Sequence, residues 1–259
     1  MKEQTLKKPS NMKMYLTVVL IVILMVASAK KTDASFSQLM KGLPETGKLF
    51  KEMLPPDWSY FSRIIDPMAE TIRMAIIGTT IGAILSIPLA LLSARNICKS
   101  KILLSISRII LNLIRTIPDL LFAAIFVAAF GLGPLAGIFA LSFFSLGLVA
   151  KLLYESIEGI DDGPMEALTA CGGNTLQIIN FSVIPQIMPQ FISYVLYTFE
   201  INVRAAAVLG LVGAGGIGLQ LDSTLGLFKY NQTCTIIIAT LIMVVIIDNI
   251  SIRIREKLL

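Results

Sequence analysis

The sequence predicts an all-α, multi-pass membrane protein with about six transmembrane helices, and three observations carry that prediction. Charged residues make up only 15% of the 259 positions, against about 25% in soluble domains, and the mean hydropathy is +0.79. A water-soluble fold has too little polar surface in this composition. Apolar runs recur at the lengths a bilayer requires, about 20 residues per helix. The basic residues flank those runs instead of forming one stripe, so the net charge of +5 bears on membrane orientation and not on nucleic acid.

The chain divides accordingly. Residues 1–13 form a basic tail with Lys2, Lys7, Lys8 and Lys13. The first apolar run, 14–29, is either an uncleaved helix or a signal-like segment, because Ala27-Ser28-Ala29 has the small-x-small form of a cleavage site. Residues 30–68 mix prolines, glycines and charges around Trp58 and Tyr60, as expected of an outer segment lying along the interface. The main transmembrane domain, 69–252, holds apolar runs at 69–94, 117–131, 134–150, 187–209 and 233–250, and 253–259 is a second basic tail. Between Arg95 and Arg115 there are five basic residues and no acid, which places that stretch in the cytoplasm. Counting spans from it puts both termini and the 151–186 loop on the same side.

Within that loop, Asp162-Gly163-Pro164 signals a helix start, with an acceptor near the N-cap, proline in the first turn and Glu166 adding negative charge there. Gly172-Gly173 ends this short helix. Asn174 and Gln177 stand at capping-box spacing and start a second one, which Ile184-Pro185 is expected to break.

Polar residues elsewhere need separate readings. Arg108, Asn112, Arg115 or Thr116, and Asp119 recur at helical steps and fit a cytoplasmic interfacial helix with snorkelling arginines and an Arg115–Asp119 pair. Glu200 and Arg204 form an i, i+4 pair around Asn202 near the outer end of a span, so these three are either a bundle-internal pair with its neighbour or a candidate anion pathway. Gly213, Gly215, Gly216 and Gly218 match the G-x-G-x-x-G spacing. No strand precedes them, no clean helix opening is evident, and position 238 is Ile instead of the acid that would hold a ribose, so a break in a membrane helix is the better reading. Histidine is absent and Cys98, Cys171 and Cys234 are scattered, so neither a metal site, a disulfide framework nor a cofactor is expected.

Glu166, Ala167, Ala170, Gly172 and Pro185 resemble the "EAA" loop of ABC importer permeases, with Leu168 and Ser182 departing from its commonest form. Pro55-Pro56-Asp57-Trp58-Ser59-Tyr60, Pro88 to Asn96, Arg115-Thr116-Ile117-Pro118-Asp119 and Leu209 to Gly218 further resemble the permeases of the phosphonate importer family. The last two segments are shared with methionine importer permeases, the nearest alternative. The resemblance implies a type I importer permease fold in the cell membrane, translocating phosphonate or a related phosphorus oxyanion. It also implies two copies of an ATPase subunit docked on the EAA loop, an extracytoplasmic binding protein, and a second permease copy, most simply in a homodimer. The chain itself is then no enzyme: it has no G-x-x-x-x-G-K-[ST] phosphate loop, and ATP is hydrolysed by another subunit. An ion-coupled secondary transporter is the rival from another class, but only Asp248 and Glu200 offer buried acids and no internal repeat is evident.

Overall fold

The computed structural model describes residues 11–32 and 36–258, so most of the N-terminal tail lies outside the described residues. Two units are distinct, residues 1–52 and 53–259.

In the first unit, α1 (Asn11–Lys31) is a 21-residue helix with apolar side chains exposed all round from Met14 to Val26, closed by Lys30 and Lys31. At 1.5 Å per residue it is about 31 Å long, a bilayer core's thickness. α2 (Phe36–Met53) is amphipathic. Met40, Leu43 and Phe50 share one side, and Lys41 and Lys48 stand away from it.

The second unit opens with Asp57, whose carboxylate accepts from the Ser59 backbone N–H (3.1 Å) and hydroxyl (2.5 Å), starting a short 3-10 turn. Those bonds, the Ser59 hydroxyl foremost, hold the Asp57 carboxyl below its ordinary range. The long helices α3 (Phe61–Ser93), α6 (Pro134–Glu158), α9 (Ile184–Leu209) and α11 (Tyr230–Leu258) are each apolar and long enough to cross a membrane. The expected third span is different. It comprises α4 (Lys101–Thr116) and the twelve-residue α5 (Asp119–Phe130), bent by 89° at Ile117-Pro118, because the residue before proline is excluded from helical geometry. The described residues thus supply five spans, or six with the bent pair as one.

Side-chain contacts fix the direction of each helix. α3 and α6 run parallel: a Cβ on Gly78 would lie 2.6 Å from Leu141 Cβ, one on Gly82 2.6 Å from the Ser142 carbonyl, and Arg95 ends beside Glu158. Only glycine permits that approach. Parallel neighbours need a connection that crosses back, and α4 with α5 provides it. Arg108 bonds the Ser93 carbonyl at the α3 terminus, Arg115 rests on Gly147, and Phe122, Phe126 and Phe130 stack past Phe143 and Phe139. α4 therefore packs against the inner ends of α3 and α6 through Ser107, Arg108 and Leu111. α9 runs antiparallel to α3, with Ile187 near Ala90 and Val203 near Ala75. α11 begins at Asp57, where the Thr235 hydroxyl donates to its carbonyl (2.9 Å), and descends past Ala75 at Met243.

The glycine run links α9 to α10 (Gly216–Gly226). Gly213, Gly215 and Gly216 take φ of +87°, +84° and +69°, which L side chains avoid. A helix does open here, contrary to expectation. Its first N–H groups, on Gly216 and Ile217, donate to the Glu70 carboxylate (3.2 Å) and the Thr71 hydroxyl (2.8 Å) on α3, so a phosphate is not what satisfies them, and no strand precedes the run among the described residues. Broken backbone at membrane depth is satisfied by protein groups, as it must be.

Candidate functional site

The loop between α6 and α9 is built as a hairpin of short helices. α7 (Gly163–Ala170) has Pro164 and Glu166 in its first turn. The capping acceptor is Asp161, not Asp162: Asp161 Oδ1 accepts from the Gly163 N–H at 3.0 Å. Gly172 has φ +81°, and the N–H groups of Cys171, Gly172 and Gly173 close the helix on the carbonyls of Ala167, Thr169 and Leu168. Asn174 and Gln177 then form both bonds of a capping box, at 2.9 and 2.8 Å.

Beyond it the structure departs from the expected break. α8 (Thr175–Ile178) passes through a π turn, 179–183, straight into α9, and Pro185 sits in the first turn of α9, where its missing N–H costs nothing. Glu166, Ala167, Ala170, Gly172 and Pro185 are all exposed. So are the large apolar side chains of Leu176 and Phe181, at 76% and 67%.

Its root is rigid, and sequence reasoning missed the residue responsible. Gln186 Oε1 accepts from the Asp161 N–H (3.1 Å), while its amide donates to the carbonyls of Asp161 (3.3 Å) and Ser182 (3.1 Å), tying the two strands of the neck together. Ser182 and Val183 are buried, and Val183 joins Ala90, Leu111, Leu153, Ile157 and Ile187 in a core shared by α3, α4, α6 and α9. Beside this core, Arg108 donates to Ser93 O (3.0 and 2.8 Å) and to Glu158 Oε1 (2.5 Å), and lies 5.0 Å from the Tyr154 ring. Glu158 also accepts from the Arg95 N–H (2.8 Å), and the Asn96 amide donates to Ile157 O (2.6 Å). Arg108 thus satisfies a helix C-terminus instead of snorkelling. The spacing of Arg108 and Glu158, fifty residues apart, carries no sequence signal.

Glu200 and Arg204 are paired, and a third group joins them: Arg255 Nη2 donates to the other Glu200 oxygen at 2.9 Å. Asn202 points elsewhere. Wholly buried, it donates to the Thr79 hydroxyl (2.7 Å) and the Ser145 hydroxyl (2.6 Å), binding α9 to α3 and α6. Arg204 borders a cavity of about 470 Å³ with Asp119, Tyr197 and Ile201, and Asp119 also lines a second of about 440 Å³ with Arg115, Thr116, Phe144 and Leu148. The expected Arg115–Asp119 bridge is absent from the ion pairs of the described residues, since the elbow turns the two apart.

The family described as "binding-protein-dependent transport system inner membrane component" matches residues 86–257. The phosphite transport system permease protein PtxC of Stutzerimonas stutzeri is 39% identical over 213 residues, covering 82% of this chain and 78% of that protein. HtxC of the same organism, provisionally named for phosphite transport, is 40% identical over 245 residues, 95% of this chain and 87% of its own. Among solved structures, an inward-facing MetNI methionine ABC transporter superposes with a TM-score of 0.68 at 23% identity, over 78% of this chain and 99% of that one. That likeness is one of fold.

Proposed function

The chain belongs to the family of binding-protein-dependent transport system inner membrane components, and from that membership we propose that it is the permease subunit of an ATP-driven importer for a phosphorus oxyanion such as phosphite or a phosphonate. The observation that carries the mechanism is the 163–181 hairpin. It exposes Glu166, Ala167, Leu176 and Phe181 outward and is rooted through Gln186 and Val183 in a core that touches four helices. Glu166, Ala167, Ala170, Gly172 and Pro185 form the surface that receives the ATPase. A push on this hairpin is delivered to α3, α4, α6 and α9 together, because a close-packed core transmits displacement instead of absorbing it. One hairpin receives one ATPase, so a second permease copy, forming a homodimer, supplies the other docking site. The hairpin end of the bundle also carries Arg95 and the last turn of α11, with Arg255 and Lys257, which supports a cytoplasmic hairpin and C-terminus. With α1 as a further span, the N-terminus is cytoplasmic too.

Glu200 and Arg204 are the candidate pathway charges, with Asn202 positioning α9 behind them, and Gly213, Gly215, Gly216 and Gly218 shape the outer break. The phosphite names of relatives at 39–40% identity support the substrate class over methionine. Proteoliposomes holding the permease, its ATPase and its binding protein should accumulate phosphite or methylphosphonate with ATP and without an ion gradient. Methionine uptake with no phosphorus oxyanion uptake would sink the substrate reading. Uptake driven by an ion gradient without ATP would sink the importer reading as well.

A further inference from the structure

Arg115 stands where a cation is hard to maintain. Its side chain lies across Gly147, with Cγ 3.0 Å from where a Cβ at that position would be, and Gly147 is near the midpoint of the 25-residue α6. At 1.5 Å per residue, the guanidinium stem is about 18 Å from either end of that helix. It is also exposed, and among the described residues it has no hydrogen bond or ion pair. A charged group at bilayer depth faces protein or a watery path, not lipid. Arg115 is open on this face of the single chain, and the cavity there is lined by Arg115, Thr116 and Asp119 with Phe144 and Leu148.

Asp119 does not cancel the charge. Its Oδ1 accepts from the Leu120 N–H at 2.9 Å within the first turn of α5, and no ion pair joins it to Arg115 among the described residues. On the other side of Asp119 lies the Arg204 cavity. Asn202, two residues before Arg204, bonds Ser145, two residues before Gly147, so both arginines lie near the middle of the bundle. Two cations thus flank Asp119: Arg204 shares Glu200 with Arg255, and Arg115 has no ion-pair partner among the described residues.

We propose that the cavity at the α4–α5 elbow is an oxyanion site of the translocation path, in which the Arg115 guanidinium pairs with the phosphorus oxyanion at mid-depth. The inference rests on the substrate class proposed above. A planar guanidinium pairs bidentately with such an anion. Gly147 is the residue that leaves room for the guanidinium stem, and Asp119, facing the same cavity, disfavours a second anion and hastens release. Without the anion Arg115 remains solvated, with it the charge is matched, and the cavity need not close to hold it.

The test uses the permease assembled with its ATPase and binding protein. Phosphorus NMR of methylphosphonate should show line broadening by the wild-type permease–ATPase complex without binding protein, lost in Arg115→Gln and partly kept in Arg115→Lys. In proteoliposomes, Arg115→Gln should lower the maximal phosphite or methylphosphonate uptake rate by about tenfold, with the half-saturating concentration of loaded binding protein unchanged, because the lost contact forms after delivery. Gly147→Leu should act likewise with Arg115 still present. Wild-type-like broadening and uptake in Arg115→Gln would overturn the elbow site and leave the substrate class standing. Failure of the wild type to move any phosphorus oxyanion would overturn both. Should the Gln variant not assemble, Thr116→Cys decides: modification by a thiol reagent slowed by methylphosphonate supports the site, and modification indifferent to it refutes the site.

Discussion

Replacing Gly172 by Val tests the hairpin as the coupling element. At φ +81° a left-handed backbone is required, and a Cβ built there meets no atom within 4 Å. The cost is therefore backbone strain without collision, about 1–2 kcal/mol and somewhat more for a β-branched residue. Against the roughly 5–15 kcal/mol that hold a domain together, this leaves the protein folded, while an equilibrium local to the turn shifts by roughly 5- to 30-fold. The turn is held by Gly172 N–H to Thr169 O (3.0 Å) and Gly173 N–H to Leu168 O (2.9 Å), each worth about 1 kcal/mol net, so the strain competes with them on equal terms. α8 then leaves its place against α7. At matched membrane levels, binding-protein-stimulated ATP hydrolysis and uptake should fall together. Gly172→Asn, which tolerates the left-handed region, should lose much less. Gly173→Ala provides a steric contrast, since its Cβ would lie 2.9 Å from the Leu168 carbonyl oxygen. Wild-type coupling in Gly172→Val would refute the argument that this turn positions the ATPase contact.

Three further outcomes follow from the packing. Cys98 and the exposed Cys171 lie at the hairpin end, so an impermeant thiol reagent added outside intact cells should label neither, and labelling of Cys171 would reverse the orientation. Glu158→Gln removes the carboxylate that Arg108 and the Arg95 N–H share, and should lower stability by about 1–3 kcal/mol, read as a drop in thermal midpoint. An unchanged midpoint would show that this clamp is idle. Asn202→Leu loses two donated bonds but leaves the Thr79 and Ser145 hydroxyls bonded to Ala75 O and Leu141 O, whereas Asn202→Asp buries a carboxylate beside both. The Asp variant should therefore melt at a lower temperature than the Leu variant, and the reverse order would mean that water reaches the network.

The sequence by itself determined the all-helical membrane character, the apolar runs of the four long helices, and in the hairpin the helix end at Gly172-Gly173 and the Asn174–Gln177 capping box. These are local properties: hydropathy over one span, a left-handed turn at Gly172, a capping box three residues wide. The helix start at Asp162-Gly163-Pro164 is where it reads, with Asp161 as the side-chain acceptor beside the N-cap; Pro185 was misjudged because a proline in a first helical turn starts a helix as readily as its predecessor ends one. What only the tertiary structure decided depends on residues far apart in the chain. The parallel register of α3 and α6 follows from glycines that meet Leu141 and Ser142. Arg108 meets Glu158 across fifty residues, Gln186 reaches back to Asp161, and Arg255 comes to Glu200 from the end of α11. The helical steps from Arg108 to Asp119 read as one face and pass over the elbow at Pro118: the basic stretch ending at Arg115 reads as cytoplasmic, and α4 carries its last arginine to the middle of the bundle. Charge statistics along a chain assign a side to a loop, and only the path of the helix assigns a depth to a side chain.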